Sequence, residues 1–170
     1  MEIRLRTDAD LPALLDALQA THEADQYPVL PTHVTSEWLL DGDDGMAWVA
    51  EEDDRVVGHV AVAEADEDPE ALSVHRLFVR PDARSQGVAS ALLTTVETYA
   101  RLLALDLFLE VVSHNTGAMH LYESRGWTRV GGYTAVWTAP DGTHPVISLY
   151  AAPNNDRTHV LDPGAGKPTE

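Results

Sequence analysis

The chain has 170 residues, no cysteine and a formal net charge of −17. That length suits one domain with a packed core, and an apolar content of 44% allows one. The missing cysteines exclude disulfides, thiolate metal sites and a cysteine nucleophile, and the acidity argues against nucleic acid or an anionic membrane as a partner, since both need a basic face.

Taken in order, Ile3–Arg6 alternates and reads as a short first strand. Thr7 or Asp8 offers a helix cap, Pro12 falls in the first turn, and Leu11, Leu14, Leu15 and Leu18 form a helical stripe. This first helix is expected to fray into His22–Pro28. Pro28 and Pro31 break the chain, and a short second helix lies near Ser36–Leu40, stopping at Asp41-Gly42. Met46–Ala50 and Val56–Ala63 read as a hairpin around the polar turn Glu52–Arg55. Glu64–Glu70 reads as an acidic loop and Leu72–Val79 as the next strand. Pro81 ends that strand. Val88, Leu92, Val96, Tyr99 and Leu103 then set a helix over Val88–Leu103. A strand at Leu107–Val112 follows, then a helix capped by Asn115 that runs to Arg125 and ends at Gly126. Trp127–Trp137 and Val146–Ala151 are two last strands around a turn at Pro140-Asp141-Gly142. After Pro153 the composition turns polar and rich in Pro and Gly, so residues 153–170 read as a mobile tail behind a domain over 1–152.

The acids crowd into residues 41–70, where Arg55 is the one Lys or Arg. They read as a solvated surface, although such a field also attracts cationic amines. No apolar run approaches the roughly 20 residues of a membrane span. The opening Met1-Glu2-Ile3-Arg4 has no signal-peptide character, so a cytoplasmic location is the expectation.

The connection Arg84-Ser85-Gln86-Gly87-Val88-Ala89, between strand and helix, has a physical use. The first N–H groups of a helix lack intrahelical partners, and the helix dipole makes that end electropositive. Gly87 and Ala89 let a ligand approach the backbone, and Arg84 adds positive charge. Such a loop suits a pyrophosphate, or it is an ordinary strand–helix link with a surface arginine.

Read as R-x-x-G-x-A after L-F-V-x-P, this stretch resembles the acyl-CoA-binding motif of the GCN5-related N-acetyltransferases (GNAT), usually Q/R-x-x-G-x-G/A. Ser85 departs from the glycine common at that position. A second segment, Asn115 to Trp127, looks like the family's N-x-x-A-x-x-L-Y-x-x-x-G-F/W. The resemblance covers roughly Ile3–Ala152, with its specific motifs in Leu77–Ala89 and Asn115–Trp127. It implies an α/β (α+β) fold: a mixed, mostly antiparallel sheet with helices on both faces.

By the same resemblance, the chain is an N-acetyltransferase that moves an acetyl group from acetyl-CoA to a primary amine, without metal. Arg84, Ser85, Gln86, Gly87, Val88, Ala89 and Ser90 would take the pyrophosphate. Leu77, Phe78 and Val79 would offer backbone groups to the pantetheine arm and polarise the thioester carbonyl. Asn115 and Ala118 would meet the arm from the next strand end. Tyr122 stands at the family's general-acid position, where a phenol can protonate a departing thiolate. A packing tyrosine is the plain alternative. Family members often carry a carboxylate base near Leu72–Val79, where this chain has His75, with Glu70 upstream. His75 has a suitable intrinsic pKa, and its parity with Leu77 and Val79 equally allows a buried histidine. Glu110, His114 or a water chain are other bases. His22, Asp25, Tyr27 and Trp38 are expected to line the acceptor mouth, and the acceptor is expected to be a small molecule. A homodimer is a further expectation. A non-catalytic acyl-CoA-binding or partner-binding domain is the alternative function. Asp41–Gly45 has its glycine one position short of a calcium loop, and the histidines lack H-x-x-x-H spacing.

Overall fold

The computed structural model describes residues 1–41, 45–66, 68–153 and 155. Its elements are β1 (Glu2–Leu5), α1 (Leu11–Asp25), α2 (Ser36–Leu40), β2 (Met46–Glu52), β3 (Arg55–Ala65), β4 (Asp68–Val79), α3 (Val88–Leu103), β5 (Asp106–Val112), α4 (Thr116–Ser124), β6 (Thr128–Thr134) and β7 (Val146–Ala151). Short 3-10 turns occupy Asp8–Asp10, Pro31–His33 and Pro81–Ala83. Apart from Pro153 and Asn155, the expected tail lies outside the described residues.

The strands form a seven-stranded sheet in the order β1-β2-β3-β4-β5-β7-β6. The β1–β2, β2–β3, β5–β7 and β6–β7 ladders are antiparallel. The β4–β5 ladder is parallel and pairs Ala71–Val74 with Asp106–Leu109. This is the mixed, mostly antiparallel sheet that the sequence led us to expect. The described residues pack as two compact units: Met1–Ala63 with His75–Val96, and Glu64–Val74 with the described residues from Glu97 onward.

In the first unit, α1 buries Leu14, Ala17 and Leu18 at helical spacing against Trp38, Leu39, Val49, Val56 and Phe78. Arg4 ties β1 to both β2 and the start of α1, through Glu51 at 2.6 Å and Asp10 at 2.8 Å. Asp10 also accepts from the Thr7 backbone N–H at 2.7 Å and the Thr7 hydroxyl at 3.1 Å. Together these bonds hold its carboxyl down to about 2, the arginine being the largest cause. Gly58 marks where β3 meets α3: a Cβ there would come within 3.1 Å of Val88 Cγ1 and Leu92 Cδ1.

In the second unit, Ala65, Ala71, Phe108 and Leu149 pack with Val130 and Ala151. Tyr122, Trp127 and Tyr150 form an aromatic cluster, with centroids 6.1 and 5.8 Å from Tyr122. Glu97 accepts from Trp127 Nε1 at 2.8 Å and from Arg125 at 2.7 Å, joining α3 to the end of α4.

Several boundaries differ from expectation. The first helix continues through His22 to Asp25 and ends at Gln26, whose φ is 57°. The expected loop Glu64–Glu70 is mostly strand, because β3 runs to Ala65 and β4 begins at Asp68. The expected Trp127–Trp137 strand is shorter, at Thr128–Thr134. Leu103, assigned to the buried stripe of α3, is 49% exposed at the last helical position.

Candidate active site

β4 ends on Phe78 and Val79, both buried, after the half-buried His75 and Leu77. The Arg80 N–H donates to Val57 O at 2.8 Å, so the strand end is fixed to β3. Pro81–Ala83 then turns the chain, with Ala83 buried as its anchor. Arg84, Ser85, Gln86 and Gly87 are exposed, Ala89 and Ser90 half-buried and Val88 buried.

Ser85 and Gly87 both take left-handed backbone, with φ of 61° and 79°. Left-handed turns of this kind aim successive N–H groups into one concavity. Ser85 thus adopts the conformation for which the family's glycine is suited. A Cβ built on Gly87 would meet nothing within 4 Å, so the space above that backbone is open. The loop leads into α3, a helix of 16 residues whose stripe Val88, Leu92, Leu93 and Val96 is buried. Open space over Gly87, left-handed turns and the electropositive start of a long helix fit a diphosphate. Arg84 pairs with Asp25 at the end of α1. Arg80 pairs instead with Asp16 and Asp82.

The second motif begins α4. Asn115 Oδ1 accepts from the Ala118 N–H at 3.2 Å, which makes it the expected cap. Gly126, with φ 85°, follows the helix end as expected. Tyr122 is buried at 6% exposure in the aromatic cluster. Burial, and then Tyr150, push its phenol above the ordinary value near 10, so it stays protonated across the working pH range.

Among the base candidates, Glu110 accepts from the Tyr133 hydroxyl at 3.0 Å, and His114 is exposed. Of the residues expected at the acceptor mouth, Tyr27 and Trp38 lie together, 6.0 Å apart, with Tyr27 6.3 Å from Phe78. His22 instead holds the following loop through Nδ1 and Pro28 O at 2.7 Å, and Asp25 is engaged by Arg84.

Sequence reading passed over Arg76. It lies inside β4, is 7% exposed and has φ 52°. The one signal for it is a lone arginine in an apolar strand, Val74-His75-Arg76-Leu77-Phe78.

The profile of the acetyltransferase (GNAT) family matches residues 11–127. The chain belongs to that family. Human N-acetyltransferase 8 is 34% identical over 114 residues, covering 64% of this chain and 50% of that protein. Mouse N-acetyltransferase 8B is 39% identical over 90 residues, covering 51% of this chain and 39% of that protein. The chain spans about half the length of the curated relatives it matches. Among solved structures, the ribosomal-protein-alanine N-acetyltransferase from Brucella melitensis shares the GNAT fold. Its TM-score is 0.75 at 22% identity, over 89% of this chain and 98% of that one. A Bacillus anthracis acetyltransferase structure in complex with acetyl coenzyme A matches at a TM-score of 0.56 and 17% identity, over 63% of this chain and 61% of that one.

Proposed function

We propose that the chain transfers an acetyl group from acetyl-CoA directly to the nitrogen of a small primary amine. The observation that carries this reading is the loop Arg84–Ser90. Its left-handed residues and the open space over Gly87 suit the donor's diphosphate, and its R-x-x-G-x-A sequence resembles the family's acyl-CoA motif. In this reading Arg84 exchanges Asp25 for a phosphate oxygen, and the start of α3 offers N–H groups beside it. The backbone at Leu77, Phe78 and Val79 orients the acetyl-bearing arm, and an N–H there polarises the carbonyl. Asn115 and Ala118 contact the arm from α4.

The amine nitrogen forms its bond to the carbonyl carbon as the carbon–sulfur bond breaks. Tyr122 gives its phenolic proton to the leaving sulfur and regains one from solvent. His75, or water, accepts the ammonium proton. Holding both reactants in line is worth roughly 7–11 kcal/mol of the barrier. A cytoplasmic, homodimeric protein is part of the same proposal. The test is steady-state release of thiol from acetyl-CoA across an amine panel, with mass detection of the acetylated amine. Amine-dependent release supports transfer. Acetyl-CoA binding with thiol release no faster than hydrolysis, for every amine, would make this a binding domain.

A further inference from the structure

Arg76 is a buried cation, 7% exposed. Its Nε donates to Trp38 O at 3.1 Å, and its guanidinium carbon lies 3.9 Å from the Trp38 ring centroid. Among the described residues its carboxylate contact is Asp41, 3.8 Å from Nη2 and beyond hydrogen-bond reach. Asp41 itself is 75% exposed, so it is a loose counter-ion. Among the described residues, then, no acceptor lies within hydrogen-bond reach of the terminal N–H groups, in a place where a buried charge ordinarily demands partners.

Two neighbours share this condition. Trp38 Nε1 and His33 Nδ1 are both buried and have no hydrogen-bond partner among the described residues. Trp38 is 7% exposed, and the His33 ring stacks on it with centroids 5.7 Å apart. Burial first, and Arg76 second, lower the His33 pKa and favour its neutral form. The guanidinium and the imidazole thus both pack on the Trp38 indole, and the guanidinium and the indole are N–H donors.

The backbone is arranged to put Arg76 there. Its φ of 52° is a strained, left-handed conformation for a long side chain inside a strand. His59, fully buried, supports that kink: Nδ1 contacts Arg76 O at 2.7 Å, while Nε2 takes a hydrogen bond from Arg6 at 3.1 Å. Because arginine can only donate, Nε2 is the acceptor and Nδ1 carries the proton. Along β4 Arg76 shares the alternation of the buried Leu72, Val74 and Phe78, and its guanidinium packs over the Trp38 ring.

We propose that Arg76 and Trp38 Nε1 form an anion subsite that receives the carboxylate of the amine acceptor, with Asp41 as the counter-ion it displaces. This rests on the transferase reading and names its substrate class: small amines that carry a carboxylate, such as amino acids. A planar guanidinium fork matches a carboxylate better than an ammonium would, and a neutral indole N–H adds direction. With a net charge of −17, a local cation also offsets the field that an anionic acceptor would meet.

The test is thiol release from acetyl-CoA with the standard amino acids and their matching carboxamides, alongside calorimetry of acetyl-CoA binding. We expect at least a tenfold higher kcat/KM for the best carboxylate than for its amide. Trp38→Phe, which keeps the ring and removes the N–H, should bring that ratio down several-fold. Arg76→Met should bring it to about one, and if this variant fails to fold, Trp38→Phe and Asp41→Asn still decide. Asp41→Asn removes the competing counter-ion, so the KM for the carboxylate should fall several-fold while that for the amide holds; a purely structural Arg76 would not produce that split. Equal rates for acid and amide, or an unchanged ratio in Trp38→Phe together with an unchanged KM in Asp41→Asn, overturn the subsite. Turnover confined to amines without a carboxylate overturns it while leaving the transferase reading intact. Absence of acetyl-CoA binding overturns both.

Discussion

Asn115 Oδ1 accepts the Ala118 N–H at 3.2 Å, and the helix started by that bond carries Tyr122 about two turns on. The cap and the proposed donor contact are separable. Asn115→Ala should cost about 1 kcal/mol in urea unfolding, the usual loss of an N-cap. Asn115→Ser should recover most of that stability. If the amide of Asn115 also contacts the donor, both variants bind acetyl-CoA more weakly in calorimetry. If Asn115 is only a cap, Ser binds as the wild type does.

Tyr122→Phe should lower kcat by about 10²–10⁴-fold, the usual range for a lost general acid, with acetyl-CoA affinity nearly unchanged. Stability should hold as well, since the ring still fills the space beside Trp127 and Tyr150. Burial raises the phenol's pKa, so the pH dependence of kcat/KM between 6 and 9 should come from the group that deprotonates the amine. An unchanged kcat in this variant would remove Tyr122 from the mechanism.

Asp10 makes stability pH-dependent at the acid end. Its folded pKa is about 2, against 3.8 in the unfolded chain, because Arg4 and Thr7 bond the charged form. A depressed carboxylate contributes fully above its unfolded pKa and loses that contribution as pH falls through the folded one. The difference corresponds to roughly 2 kcal/mol. The stability gap between wild type and Asp10→Asn, from urea unfolding, should be constant from pH 7 to 5 and shrink steadily from pH 4 to 2. A gap that does not change with pH would mean that the ion pair contributes nothing net.

The parts of the fold that were legible in the sequence were those with local causes. The α3 stripe gave Val88–Leu103, and the Asn115 cap and Gly126 framed α4. The periodicity misled at Leu103, which is 49% exposed at the last helical position. Strand pairing was harder. The acids at Glu64–Glu70 look like a loop, yet β3 runs to Ala65 and β4 begins at Asp68, two strands that are neighbours in the sheet. Arg76 was the main omission. No local propensity favours left-handed arginine within a strand, so only tertiary packing, from His59 and Trp38, could reveal it. Ser85 was visible as a departure from the motif, but its φ of 61° was not. The pairing of Arg84 with Asp25 joins residues distant in sequence and left no trace in either motif.

Acetyl-CoA binding measured by calorimetry, in the wild type and in Gly87→Trp, reports directly on the loop Arg84–Ser90. The substitution puts a large ring into the open space over the loop, at a backbone position of φ 79°. Gly87→Ala controls for the strain alone. Micromolar binding is expected in the wild type, with partial retention in Gly87→Ala and loss in Gly87→Trp. Donor at about a hundred times its Kd should also stabilise the wild type, but not Gly87→Trp, by roughly 2.7 kcal/mol. Binding that survives Gly87→Trp would place the donor elsewhere, and no binding in the wild type would contradict the transferase reading itself.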